Sequence, residues 1–126
     1  MRVLHDSLHE EYDGHHQTHL DSDSQVEEDG KTHFYLYFSN SGNGCGVLTA
    51  TSPVGPWTSP LEKSLVDRET PGVEDCPHPF DPGVVIDDEG TGWLTFGGGG
   101  VGKIVKLCKD MTSLASRAAH IPTRFL

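Results

Sequence analysis

The chain has 126 residues, and nineteen Asp and Glu against nine Lys and Arg give it a formal charge of −10, which argues against nucleic acid or an anionic membrane as partner. Its length suits one small domain, and no apolar run reaches the length of a membrane helix or a signal-peptide core. Three widely spaced cysteines, Cys45, Cys76 and Cys108, support neither a disulfide framework nor a metal knuckle.

The acids are concentrated at the start. From Met1 to Gly30, nine acidic residues face only Arg2, and Val3, Leu4, Leu8, Tyr12, Leu20 and Val26 are too sparse to define a core face. Residues 1–30 are expected to be a loosely packed, acidic, histidine-rich lead-in. On a helix, the pairs His5/His9 and His15/His19 would stand one turn apart, a spacing that chelates divalent transition metals. Gly14 lies between the pairs and a solvated acidic tail accounts for the composition, so no metal is assigned.

Order is expected from Lys31. The continuous apolar run Phe34–Phe38 reads as a strand buried on both faces, and a glycine-rich turn at Ser41–Gly44 leads to a second strand, Gly46–Ala50. The prolines of Thr51–Trp57 place that stretch on an edge or in a loop. Leu65–Val66 reads as a short strand, and a Pro- and Gly-punctuated connection, Thr70–Pro79, leads to Asp81. Val84–Ile86 and Trp93–Phe96 form a hairpin around the acidic turn Asp87–Gly90. Ile104–Leu107 and Leu114–Ile121 supply two further strands. Short strands between glycine and proline turns predict an all-β fold, and two successive units of the same plan suggest about two blades of a propeller.

Several motifs invite chemistry. Gly97–Lys103 has the glycine and lysine spacing of a phosphate-binding loop, but Ile104 stands where a Ser or Thr would hold magnesium, and Ile104–Leu107 reads as strand rather than helix. Asp87–Gly90 lacks the alternating ligands of a calcium loop and fits a hairpin tip. No nucleophile elbow occurs, and neither Cys45 nor Cys76 has an evident base. Asp81, followed by Pro82 at a strand entrance, is either a turn residue or a working carboxylate of the kind that serves glycoside hydrolysis.

The segments Phe34–Trp57, Thr70–Gly72 and Phe80–Gly99 together resemble glycoside hydrolase family 43, five-bladed β-propeller enzymes acting on arabinose- and xylose-containing polysaccharides. The resemblance covers roughly Lys31 to Leu126 and implies a partial propeller over residues 31–126. It assigns Asp81 as the carboxylate that orients the general acid and adjusts its pKa, and it suggests Phe80 as a substrate contact. Trp57 and Trp93 are further candidates for sugar platforms, with blade packing as the alternative for all three aromatics. The implied chemistry is inverting hydrolysis of O-glycosyl bonds with no cofactor and no metal, on an oligo- or polysaccharide partner.

The family's general-base Asp lies in a first blade, and no such blade is recognisable in residues 1–30. Its general-acid Glu follows an apolar pair much like Phe125–Leu126, where this chain stops. The polypeptide is therefore expected to be inactive by itself, with a non-catalytic carbohydrate-binding or interaction module as the alternative and self-association through open blade edges as a consequence. Two departures stand out: Asp75–Pro79 is less aromatic than the family's approach to the Asp-Pro pair, and Gly97–Lys103 is shorter than its usual connection.

Overall fold

The computed structural model describes residues 3–5, 20–27, 30–40 and 44–121, the first two stretches as backbone only. Nine strands are present among them: β1 (Val3–His5), β2 (Leu20–Glu27), β3 (Thr32–Ser39), β4 (Gly44–Ala50), β5 (Val66–Asp67), β6 (Gly83–Ile86), β7 (Gly92–Gly98), β8 (Val101–Lys106) and β9 (Ala119–His120). They form two sheets, β1-β2-β3-β4-β5 and β6-β7-β8-β9, with every pairing antiparallel. The described residues contain no helix, as the composition predicts.

Sheet pairing starts earlier than Lys31. The backbone of β2 pairs with β3 from Leu20 opposite Phe38 to Glu27 opposite Thr32, with an irregularity between Asp23 and Val26, and β1 pairs with β2. Strand pairing is a backbone matter, and the hydrogen-bonding edge of β3 can be satisfied by a polar segment with no apolar alternation of its own. His5 lies on a strand, so the helical spacing of a His5/His9 pair does not hold there, and His9, His15, His16 and His19 lie outside the described residues.

As the apolar run of β3 requires, that strand is buried on both faces: Tyr35 and Tyr37 on one, Phe34 and Leu36 on the other. Tyr35 and Tyr37 join Cys45 and Val47 of β4 and Val66 of β5 against Val84, Leu94, Phe96 and Val105 of the second sheet, so one core lies between the two sheets. Tyr37 is fully buried, and its hydroxyl donates to the carbonyl oxygen of Met111 at 2.6 Å, joining β3 to the loop after β8. A buried Tyr hydroxyl needs such a partner.

The outer strand of each sheet is interrupted by a bulge. In the first, Thr58 pairs with Thr49 and Val66 with Cys45, while residues 59–64 loop out between them. In the second, the expected strand Leu114–Ile121 runs beside β8 only in pieces: Leu114 pairs with Leu107, Ala119 with Ile104 and His120 with Lys103. The bulge at 116–118 brings Ala118 to the connection ahead of β6, where its N–H donates to the Pro71 carbonyl at 3.0 Å. Gly72 has no room for a side chain there, since a Cβ would lie 2.1 Å from the Ala118 oxygen.

A buried charge holds the same junction. Lys103, only 3% exposed, places Nζ 2.7 Å from Oδ1 of Asp75, and His120 Nε2 lies 2.6 Å from Oδ2. The hydrogen bond from Lys103 holds the Asp75 carboxyl below its usual range. Removing one partner of such a pair strands the other charge, whereas replacing a buried lysine by an apolar side chain leaves only a half-exposed carboxylate that water and His120 can serve. Asp75→Asn is therefore expected to lower the melting temperature more than Lys103→Met. Because the folded-state pKa of Asp75 is depressed, its contribution is complete above the ordinary carboxylate value of about 3.9 and is lost as pH falls through the lower folded value. Thermal melts of both variants from pH 3 to pH 7 check this; equal or reversed losses would show that Lys103 does not depend on Asp75.

Candidate active site

The connection from β5 to β6 is a series of tight turns, closed by Thr70 N–H to Asp67 O, Val73 N–H to Thr70 O and Cys76 N–H to Val73 O, with Val73 and Cys76 buried in the core. Arg68 Nε then donates to the Pro77 carbonyl at 3.1 Å. The chain reaches Phe80 and Asp81, where one peptide group is gripped from both sides. Its carbonyl, that of Phe80, accepts the Gly97 N–H of β7 at 2.8 Å. Its N–H, that of Asp81, donates to Ser39 Oγ at the end of β3 at 2.9 Å. Ser39 is buried, so its hydroxyl is committed to this contact.

Immediately after that peptide the backbone of Asp81 turns left-handed, at φ 53°. That conformation costs a non-glycine residue about 1 kcal/mol or more, and the Pro82 ring further narrows the choices of the residue before it. Asp81 is exposed, among buried neighbours Pro79, Pro82 and Cys45. Cys45 Sγ donates to the Pro79 carbonyl at 3.5 Å, and burial first, then the Asp81 charge, pushes its thiol far up. Such a thiol is inert as a nucleophile, which closes the question of cysteine chemistry at that residue.

Phe80 is half-buried with its ring over Gly98, where a Cβ would lie 3.0 Å from the ring atoms. The exposed His78 meets it edge to face, with centroids 5.7 Å apart at 70°. The glycine run that carries this pair is the β7–β8 turn, with Gly97, Gly99 and Gly100 all at positive φ. It is no phosphate loop: it leads directly into strand β8, and Lys103 is committed to Asp75.

The other sequence candidates stand elsewhere. Asp87, at the far end of β6, accepts the N–H groups of Glu89 and Thr91 on Oδ1 and the indole N–H of Trp93 on Oδ2, each at 2.9 Å. The Trp93 bond, more than any other, holds its carboxyl below the usual range, and both oxygens serve the hairpin tip. Trp93 sits opposite Val85 at that distal end, and Trp57 precedes Thr58, which pairs with Thr49 at the end of β4 away from Cys45. Of the three aromatics, Phe80 alone stands beside Asp81. Ser39 was not legible as a site residue; its one signal is a hydroxyl directly after an all-apolar run.

The family model for Glycosyl hydrolases family 43 matches residues 26–124. An arabinoxylan arabinofuranohydrolase of Bacillus subtilis (strain 168) is 46% identical over 112 residues, covering 77% of this chain and 22% of that relative. The crystal structure of a glycoside hydrolase family 43 arabinoxylan arabinofuranohydrolase from Bacillus subtilis, in complex with cellotetraose, has a TM-score of 0.74 at 44% identity over 78% of this chain and 23% of that one. The α-L-arabinofuranosidase CtGH43 of Clostridium thermocellum ATCC 27405 gives 0.69 at 40% identity over 77% of this chain and 33% of that one. The chain thus spans less than a quarter of the length of the curated relatives it matches.

Close packing at Gly98 predicts a local effect of side-chain addition. Gly98→Ala puts a methyl 3.0 Å from the Phe80 ring and 3.1 Å from His78 Cβ, which is expected to cost about 1–3 kcal/mol of stability and to shift the ring resonances of both residues. Gly100→Ala meets no atom within 4 Å and strains only its backbone, for about 1 kcal/mol, with both rings undisturbed. Denaturant unfolding and aromatic ¹³C spectra of the two variants check the difference. Unmoved rings in Gly98→Ala would show that the turn does not support them.

Proposed function

The chain belongs to glycosyl hydrolases family 43, and from that premise we propose that it carries the part of an arabinofuranosidase active site that holds the orienting carboxylate, Asp81, with Phe80 as the aromatic surface beside it. Its two sheets are about two blades of a five-bladed β-propeller. The substrate class is an arabinose-bearing xylan, cleaved at the arabinofuranosyl bond by single displacement with inversion. In that reaction a base carboxylate activates water and an acid delivers a proton to the leaving oxygen, the two standing roughly 6.5–9.5 Å apart. Asp81 is neither of these. A fixed negative charge close to the acid raises the acid's pKa, so that it is still protonated when the glycosidic oxygen needs the proton.

One observation carries the assignment: Asp81 is held in a strained, left-handed backbone conformation by hydrogen bonds from both sheets, and its carboxylate is left exposed. Strain of this kind collects where a side chain's placement matters more than stability. Inactivity of the isolated 126 residues belongs to the same proposal, because the base and the acid have no assigned counterparts in them.

Two experiments test this. Asp81→Gly is expected to stabilise the chain by about 1 kcal/mol, since glycine adopts positive φ without penalty, whereas Asp81→Ala gains nothing. A loss of stability in the glycine variant would remove the strain on which the assignment stands. In the second, the purified chain is titrated with arabinoxylan-derived oligosaccharides and assayed with an aryl α-arabinofuranoside. Binding weakened in Asp81→Asn, with no arabinose released, is the expected result. Release abolished by Asp81→Asn would overturn the inactivity, and no binding to any saccharide would overturn the carbohydrate site itself.

A further inference from the structure

We propose that His78 is a substrate-positioning residue, whose imidazole hydrogen-bonds the hydroxyl groups of a sugar ring lying against Phe80. This rests on the carbohydrate site proposed above and names the group that fixes how a sugar lies in it.

The backbone of His78 is rigid for a surface loop. Pro77 and Pro79 flank it, so both neighbours have fixed φ and His78, preceding a proline, is confined to extended conformations. The Pro77 carbonyl accepts Arg68 Nε, the Pro79 carbonyl accepts the Cys45 thiol, and the His78 carbonyl accepts the Phe80 N–H at 2.9 Å. Three consecutive carbonyls are therefore anchored. Its side chain is placed by contact with Phe80 and by the glycine turn, its ring edge standing 3.4 Å from where a Gly99 Cβ would be. Nothing polar restrains the imidazole: among the described residues neither ring nitrogen has a hydrogen-bond partner, and the residue is exposed.

An exposed, unpartnered hydrogen-bonding ring on an anchored segment is preorganised, so a ligand that meets it loses little further entropy. Its aromatic neighbour Phe80 provides a half-exposed apolar surface, and Asp81 follows Phe80 directly in the chain. A saccharide matches this pairing, because a sugar ring presents C–H groups on its faces and hydroxyls around its rim. The same features also fit a histidine that merely covers the glycine turn, and the two roles separate by substitution.

His78→Phe keeps an aromatic ring against Phe80 and Gly99 but removes the hydrogen bonds, while His78→Gln keeps hydrogen-bonding capacity without the ring. With arabinoxylan-derived oligosaccharides as probe, calorimetry is expected to show binding weakened roughly 5- to 10-fold in His78→Phe and restored to within about 3-fold of wild type in His78→Gln. The melting temperature of His78→Phe should match wild type. Undiminished binding by His78→Phe, in a chain whose Asp81→Asn variant is impaired, overturns the role of His78 and leaves the carbohydrate site standing. Loss of binding in both His78 variants together with a lowered melting temperature makes the residue structural and overturns it as well. A wild-type chain that binds no saccharide overturns both.

Discussion

The peptide group between Phe80 and Asp81 is the point on which the site depends. Its carbonyl belongs to the hydrogen bonding of the second sheet through Gly97, and its N–H to the first through Ser39. Either bond alone would leave the plane free to rotate about the other. With both made, the orientation of the Asp81 backbone is set before its side chain is considered, and the left-handed turn at Asp81 is the way the chain can still enter β6. The position of the carboxylate is thus inherited from the registers of β3 and β7, rigid elements, rather than from the loop on which it sits.

That inheritance works only if the two sheets keep a fixed relation. The apolar core between them supplies most of the cohesion, but burial is non-directional and tolerates sliding. Directional ties restrict it. The Tyr37 hydroxyl reaches the Met111 carbonyl from the first sheet to the loop after β8, and Asp75 ties the β5–β6 connection to Lys103 and His120 of the second sheet. Met111 is itself buried with φ 63°, so the carbonyl that Tyr37 needs is presented by a residue in an unfavourable conformation. Both ties lie outside the site and act on it by holding its supports.

Hairpins were legible in the sequence because their signals are local. The apolar run Phe34–Phe38, the Asp87–Gly90 tip and the Asp81-Pro82 strand entrance each depend on residues within a few positions, and the structure has strands and turns at each. What was hidden depends on long-range pairing. No local pattern tells that Ser39 will meet a backbone N–H 42 positions later. Lys103 was visible only as the lysine of a phosphate-loop spacing that fails at Ile104, since only the fold brings Asp75 to it. The bulges in both outer strands, and the pairing of β2 with β3, leave no mark on apolar periodicity, because one is an interruption of pairing and the other a backbone match at a sheet edge.

The two aspartates at the ends of β6 show why one is assigned a role and the other is not. Asp87 commits both carboxylate oxygens to donors of its own hairpin, two backbone N–H groups and an indole, which is how an aspartate stabilises a turn. Asp81 contributes only its backbone: among the described residues its carboxylate accepts no hydrogen bond, although the residue occupies a conformation that glycine would adopt at lower cost. A turn aspartate is explained by what its side chain holds together locally. At Asp81 nothing local requires a carboxylate, and that contrast with Asp87 is what the proposed role rests on.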